Sequence, residues 1–366
     1  MISIQPVGSN ETRLWGLTAY ERLRRIARAQ GMSVDGENAV ILANLDHVWD
    51  PAWLRLVRER PDCVVTRGGV PVLAHVTDPA AREHVAEAMR RRAPLHDAAG
   101  LQVTAQEESG DMVNDQLRKR ERPFMDRLVP ETVRPLERAS YFGAYKGVTD
   151  ILTKYLWPEW ALVLTRWAAR FGITPNMVTA LGAALCVVAT ILFYEGWYWT
   201  GMATGLVFMV LDTVDGKLAR CTITSSWWGN VFDHGIDLVH PPFWWYAWGV
   251  GLAAYGRPLD ERTFWAVMAA IIGGYVVQRL IEGVFMRRYG MHIHVWEKFD
   301  SQFRLITARR NPNMVILFAS VLVMRPDWGL LAVAAWTVLS CLVHFARLIQ
   351  AMSVSARKRP IVSWLA

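Results

Sequence analysis

The sequence predicts an all-α polytopic membrane domain of six transmembrane helices, entered through an amphipathic surface helix and preceded by a cytoplasmic α/β domain. Three observations carry this. Apolar residues are unevenly spread over the 366 positions: the first 137 mix charge with short apolar runs, and the rest holds long apolar runs. Many of the 18 tryptophans fall near the ends of those long runs, where an interfacial belt would stand. Within the first part, helix-period and strand-like runs alternate, which suggests a compact α/β layer.

Residues 1–137 read as the first domain. Residues 17–29 form a short amphipathic helix, with Thr18 as its cap and Glu21 three residues on. Residues 39–45 are a buried-strand run, followed by turns at Asp46-His47 and Asp50-Pro51. Residues 63–66 and 70–76 flank Arg67-Gly68-Gly69 and read as a hairpin. Residues 78–91 are a second helix. The basic run at 117–123 is either a solvated linker or a contact with anionic headgroups, at about 1 kcal/mol per basic residue near the surface.

Residues 138–174 are the bridge onto the membrane. Residues 160–171 carry Arg166 and Arg170 on one side of an apolar helix, the pattern of a helix lying in the interface. Spans are expected at 175–196, 199–220, 226–254, 263–286, 311–325 and 328–351 in a domain covering 175–366. Pro175 sits in the first turn of the first span, behind Thr174. Lysine and arginine gather on one side, from Lys217 and Arg220 to Arg357, Lys358 and Arg359. The positive-inside rule therefore puts that side, both termini and the α/β domain in the cytoplasm, at the cell inner membrane. No basic stretch ahead of an apolar core marks a cleavable signal at the N-terminus.

The net charge of +7 suits an anionic membrane and anionic substrates. The basic residues follow helix ends and form no aromatic-interleaved groove, which argues against nucleic acid as a partner. The four cysteines have neither metal nor disulfide spacing.

The informative stretch is 212–237. Asp212, Asp215, Gly216, Ala219 and Arg220 share one face of a helix, and Gly229, Asp233 and Asp237 share one face of the next. One aspartate at the centre of a membrane helix costs roughly 2.5–3.5 kcal/mol, so four must turn inward toward a polar cavity with positive charge to hold them. Local salt bridges to Lys217 and Arg220 would leave the repeated one-face spacing unexplained. Oxygen ligands around a hard dication, Mg²⁺ or Mn²⁺, explain it. The small residues let a flat ligand approach the backbone.

At these residues the chain resembles the CDP-alcohol phosphatidyltransferase family, whose signature D-x2-D-G-x2-A-R-x8-G-x3-D-x3-D is met at every fixed position. The resemblance implies a six-helix membrane enzyme, a homodimer among membrane lipids. It would move a substituted phosphate from a CDP-linked donor to an alcohol acceptor and release CMP. Asp212, Asp215, Asp233 and Asp237 would hold metal, and Asp237 would be the catalytic base. The CDP would lie on Asp212, Gly216, Ala219, Arg220 and Gly229. The family's Pro-Asn-x-x-Thr segment adds Asn176 and Thr179, although helix capping accounts for Asn176 almost as well.

In the loop at 286–310, Arg304, Arg309 and Arg310 are candidates for a phosphate of donor or acceptor, or ordinary flanking charge. His292-x-His294 is a weak metal signal, and Arg279 and Glu282 are spaced to pair.

Residues 16–23 and Asn44-Leu45-Asp46 make the first domain resemble polyol-phosphate nucleotidyltransferases, which implies a cytidylyltransferase relative. Its phosphate-loop position, Val7 to Leu14, has one glycine and a glutamate and makes a poor backbone cradle. The domain is thus expected to be non-catalytic.

CDP-diacylglycerol and a polyol or polyol phosphate are the expected donor and acceptor. The alternative is the reverse, a CDP-headgroup with a lipid alcohol: Phe232-Asp233-His234-Gly235-Ile236-Asp237 looks like the choline/ethanolamine phosphotransferase branch, although simple packing also accounts for His234. A cation transporter would need neither the small residues nor Arg220, and the intact motif disfavours an inactive scaffold.

Overall fold

The computed structural model describes residues 2–36, 39–96 and 100–366. The first domain is built on a six-stranded mixed sheet of order β2-β1-β3-β6-β5-β7. These are β1 (Ser3–Val7), β2 (Ser33–Val34), β3 (Ile41–Asn44), β4 (His47–Trp49), β5 (Cys63–Arg67), β6 (Val70–His75) and β7 (Gln102–Ala105), with β4 lying outside that sheet. β1 runs parallel to β2 and β3, and β5 is parallel to β7. β6 is antiparallel to both β3 and β5. The β5–β6 hairpin turns at Gly68 and Gly69, where the sequence places it.

Helix α1 (Ala19–Ala29) starts with the expected capping box of Thr18 and Glu21. The second turn expected at Asp50-Pro51 is instead the start of α2 (Pro51–Glu59), with Asp50 as cap and Pro51 in its first turn. His47, expected in a turn, opens β4. Helix α3 (Pro79–Arg91) is capped by Asp78. The basic run is not a free linker, because residues 119–121 are paired in a strand. It folds into the hairpin β8 (Met112–Asn114) and β9 (Lys119–Glu121), with Lys119 buried. Strand β10 (Met125–Arg127) then pairs with β4.

Helix α4 (Val133–Gly143) leads through a wide helical turn at Leu152–Leu156 to α5 (Pro158–Arg170). Helix α5 buries Ala161, Leu162, Thr165 and Ala168, and exposes Trp160, Val163, Leu164, Trp167 and Phe171. Arg166 turns from that apolar face to Glu137, 2.8 Å away. An exposed apolar face with a polar side tied to the preceding helix is the arrangement of a helix lying on a bilayer.

The helical part that follows consists of α6 (Pro175–Tyr194), α7 (Tyr198–Cys221), α8 (Trp227–Ala254), α9 (Glu261–Met268), α10 (Gly274–Tyr289), α11 (Lys298–Phe303), α12 (Arg310–Leu322) and α13 (Pro326–Ala356). A wide turn at Ala269–Gly273 joins α9 and α10 into one rod. Among the described residues, three helices are long and apolar enough to cross a membrane: α6, the α9–α10 rod and α13. Helices α7 and α8 carry the aspartates, and α12 has 13 residues.

One continuous apolar cluster runs from Ile4 and Trp53 of the sheet domain, through Trp157 and Ala161, to Phe193, Trp244 and Leu330. The two domains therefore share a core rather than being strung on a linker.

Candidate active site

Helices α6, α7 and α8 bring the motif together. Ser226 caps α8, accepting the Gly229 amide at 3.0 Å, and this starts the helix in the register that puts Asp233 and Asp237 toward α7. Pro241 and Pro242 then interrupt its ladder and free the carbonyls of Asp237 and Leu238. The Tyr275 hydroxyl of α10 donates to the Leu238 carbonyl at 3.0 Å. The break falls one turn past Asp237, so the polar end of α8 is set off from its buried Trp244, Trp245 and Trp248.

The motif opens onto a cavity of about 560 Å³. Of the candidate residues, Asp212, Gly216, Arg220, Asp233, Asp237, Arg304, Arg309 and Arg310 line it. Carboxylate oxygens of Asp212, Asp233 and Asp237 lie within 4.8 Å of one another. The Arg310 guanidinium bridges two of them, 2.6 Å from Asp212 and 2.7 Å from Asp237. Three converging carboxylates with a cation drawn among them are a donor set that fits a hard dication.

Asp215 stands apart from that trio. It is buried, and the Thr179 hydroxyl donates to it at 2.6 Å. Thr179 thus touches the motif through Asp215 and does not line the cavity. Asn176 meets the motif at Gly229, where an added Cβ would come within 3.1 Å of its side-chain oxygen. Ala219 lies on α7 away from the cavity lining. Arg220 donates from Nε to the Ala144 carbonyl at 3.1 Å.

The opposite wall is basic. Arg304 is 8% exposed, and its Nε and one terminal nitrogen have no partner. Arg309 donates to Glu282 at 2.5 Å, and its Nε is unpartnered. Arg279 pairs with Glu282 at 3.2 Å, as their spacing predicts. Glu282, His294 and His344 also bring ligand atoms within 4.8 Å of one another, and Arg309 lies 3.2 Å from the His294 Nε2. Arg310, grouped by sequence with Arg304 and Arg309, belongs instead to the aspartate side.

Several lining residues carry no signal in the motif. Lys217 reads as a flanking charge, yet it is buried, with Nζ 3.0 Å from the Ala144 carbonyl and 3.3 Å from the Tyr145 ring centre. Asp150 accepts from Asn311 at 3.0 Å and from Thr153 at 2.8 Å. Lys146 also lines the cavity, and burial pushes its ammonium down to about 8, with Arg118 and Arg220 adding to the shift. Burial likewise takes His292 down to about 4.

In the sheet domain, Asp46 is ion-paired to Arg92, and Asn44 donates to the Pro71 carbonyl at 3.0 Å. An open cleft of about 560 Å³ beside it is lined by His47, Arg67, Arg92 and Arg127.

Among known proteins, residues 172–346 match the family model of CDP-alcohol phosphatidyltransferase. The chain is 31% identical over 166 residues to cholinephosphotransferase 1 of Homo sapiens, covering 42% of this chain and 38% of that protein. It is 36% identical over 93 residues to phosphatidylinositol phosphate synthase of Streptomyces avermitilis, covering 24% of this chain and 38% of that one. The phosphatidylinositol phosphate synthase structure of Mycobacterium tuberculosis with manganese and citrate aligns at 18% identity and a TM-score of 0.41, over 51% of this chain and 88% of that one. The alignments to these two curated relatives each span 38% of the relative's length.

Proposed function

Residues 172–346 form a domain of the CDP-alcohol phosphatidyltransferase family, and from that premise we propose that the protein transfers a substituted phosphate from CDP-diacylglycerol to a phosphorylated polyol, releasing CMP. The observation that carries the acceptor class is the basic wall: Arg304, Arg309, Lys146 and Arg279 line the cavity opposite the aspartates, and Arg304 and Arg309 keep unpartnered nitrogens. A cationic headgroup would not use this surplus, whereas a phosphate would. His234, which lines the cavity in the motif, supports the reverse reading of a CDP-headgroup donor and a lipid alcohol acceptor.

Asp212, Asp233 and Asp237 would hold Mg²⁺ or Mn²⁺, with Asp215 fixing the α6–α7 contact beside them. When bound, the dication supplies charge neutralisation for the pyrophosphate and for the leaving CMP. Arg220 and Arg310 supply donors to the same phosphates. The cytidine packs at Gly216, which lines the cavity, and toward Gly229 and Asn176. The acceptor hydroxyl oxygen forms its bond to the phosphorus that bears the diacylglycerol, the bond from that phosphorus to CMP breaks, and Asp237 takes the hydroxyl proton. Arg310 holds Asp237 at 2.7 Å, so the base role requires the guanidinium to turn onto the substrate phosphates.

In this reading the six helical segments cross the inner membrane. The basic ends, the cavity mouth and the sheet domain face the cytoplasm, and two copies pair as a homodimer. The sheet domain is non-catalytic, since Arg92 already neutralises the aspartate that would hold its metal.

The test is CMP release by the purified full chain in detergent, with Mg²⁺ or Mn²⁺, CDP-diacylglycerol and a panel of inositol phosphate, glycerol phosphate, inositol and serine. Release with a phosphorylated polyol, abolished by chelator and by Asp233→Asn, is expected. Release only with CDP-choline and diacylglycerol would reverse donor and acceptor.

A further inference from the structure

The hairpin of β8 and β9 lies in the first 137 residues and forms a two-stranded sheet of its own, yet it reaches the cavity among the helices. Gln116 and Arg118 at its turn line that cavity together with Arg304, Arg309 and His292. Arg118 takes a positive φ of 52° to do so. Among the described residues, its guanidinium has no hydrogen-bond or ion-pair partner, although burial and the neighbouring Arg309 push it down to about 10.

The placement is built, not incidental. The Gly147 amide donates to the Leu117 carbonyl at 2.8 Å. A Cβ on Gly147 would come within 2.6 Å of the Arg118 carbonyl oxygen and of the Lys119 Cβ, so only glycine admits the hairpin. Lys119 donates to the Gly143 carbonyl at 2.5 Å. The next carbonyl, that of Ala144, accepts from Lys217 and Arg220 of the motif helix. An unbroken set of contacts thus runs from the motif, through residues 143–147, to Arg118.

We propose that the sheet domain completes the acceptor site of the membrane domain, with Arg118 acting together with Arg304 and Arg309 as a specificity-determining cation for a phosphate monoester on the acceptor. This rests on the phosphorylated-acceptor reading above. Glu282 pairs with Arg309, but it is one carboxylate beside three guanidiniums, and the unpartnered N–H groups of Arg118 and Arg304 leave positive charge in the cavity that a further anion would offset.

The test uses the full chain in detergent, comparing wild type with Arg118→Gln and Arg118→Lys. Arg118→Gln should raise KM for the phosphorylated acceptor about tenfold, well beyond any rise in KM for the CDP-donor, and Arg118→Lys should restore part of the loss. Inorganic phosphate, titrated as a probe without turnover, should bind Arg118→Gln more weakly by a similar factor. Equal KM and equal phosphate binding in wild type and Arg118→Gln, with a phosphorylated acceptor still used, would overturn the role of Arg118 alone. A wild type that turns over only unphosphorylated alcohols would overturn both readings.

Discussion

Asp237 has the most demanding role of any single residue here. It is the fourth aspartate of the motif, 46% exposed at its side chain toward the cavity and held by Arg310. Asp237→Asn keeps shape and hydrogen bonding but removes the base. Turnover should fall by about 10²–10⁴-fold while CDP-donor binding, followed by calorimetry, stays close to wild type. Equal loss of both would assign Asp237 to binding. Lys146 gives a pH dependence of stated sign. Its ammonium titrates near 8, and an anionic substrate binds the charged form. Substrate affinity should be full below pH 8 and fall as pH rises through it, a decline that Lys146→Met should flatten.

At the scale of elements, the α6–α8 contact at the motif is set by a missing side chain. Gly229 faces Asn176 at the start of α6 and Ser226 at the cap of α8. Gly229→Val would put its branched carbons against both. Overpacking of this kind costs about 1–3 kcal/mol, and the α8 start that carries Asp233 and Asp237 would have to shift. Donor affinity should therefore fall at least tenfold, with the helical circular dichroism signal retained; unchanged affinity would remove Gly229 from the nucleotide contact. Helix periodicity exposed this small-residue face. It did not reveal that Asp215 spends its carboxylate on Thr179 while the other three converge, because the i, i+3, i+4 pattern names a face and says nothing of what stands opposite.

For the whole molecule, the question is how the two domains are coupled. Arg22 of α1 is 4% exposed and donates to the Cys221 carbonyl at 3.2 Å, and Arg25 donates to Thr222 at 2.7 Å. These are carbonyls at the end of α7, which have no partner within their own helix. The sheet domain thus caps the helix that bears the motif. Arg22→Met would leave the Cys221 and Trp49 carbonyls unpaired and should cost about 1.5–3 kcal/mol, read as a lower melting temperature of the purified protein. Melting unchanged within a degree would mean that the domains are held by their shared apolar core alone.

From the sequence alone came the long apolar helices that follow residue 175, the hairpin and capped helices of the sheet domain, and the eight fixed positions of the family signature. Each is local: a period, a cap or a fixed spacing within a few turns of chain. The tertiary structure decided which charges meet. Arg310 joins the aspartates, while its neighbour Arg309 joins Glu282 some 27 residues upstream. Arg118 of the basic run at 117–123 comes to line the cavity, and Lys217 is buried against Tyr145. A charged residue beside a membrane helix looks the same in sequence whether it ends in water or in a cavity. Only the packing of distant segments settles its surroundings, because the cost of burying a charge depends on the partners folding brings to it.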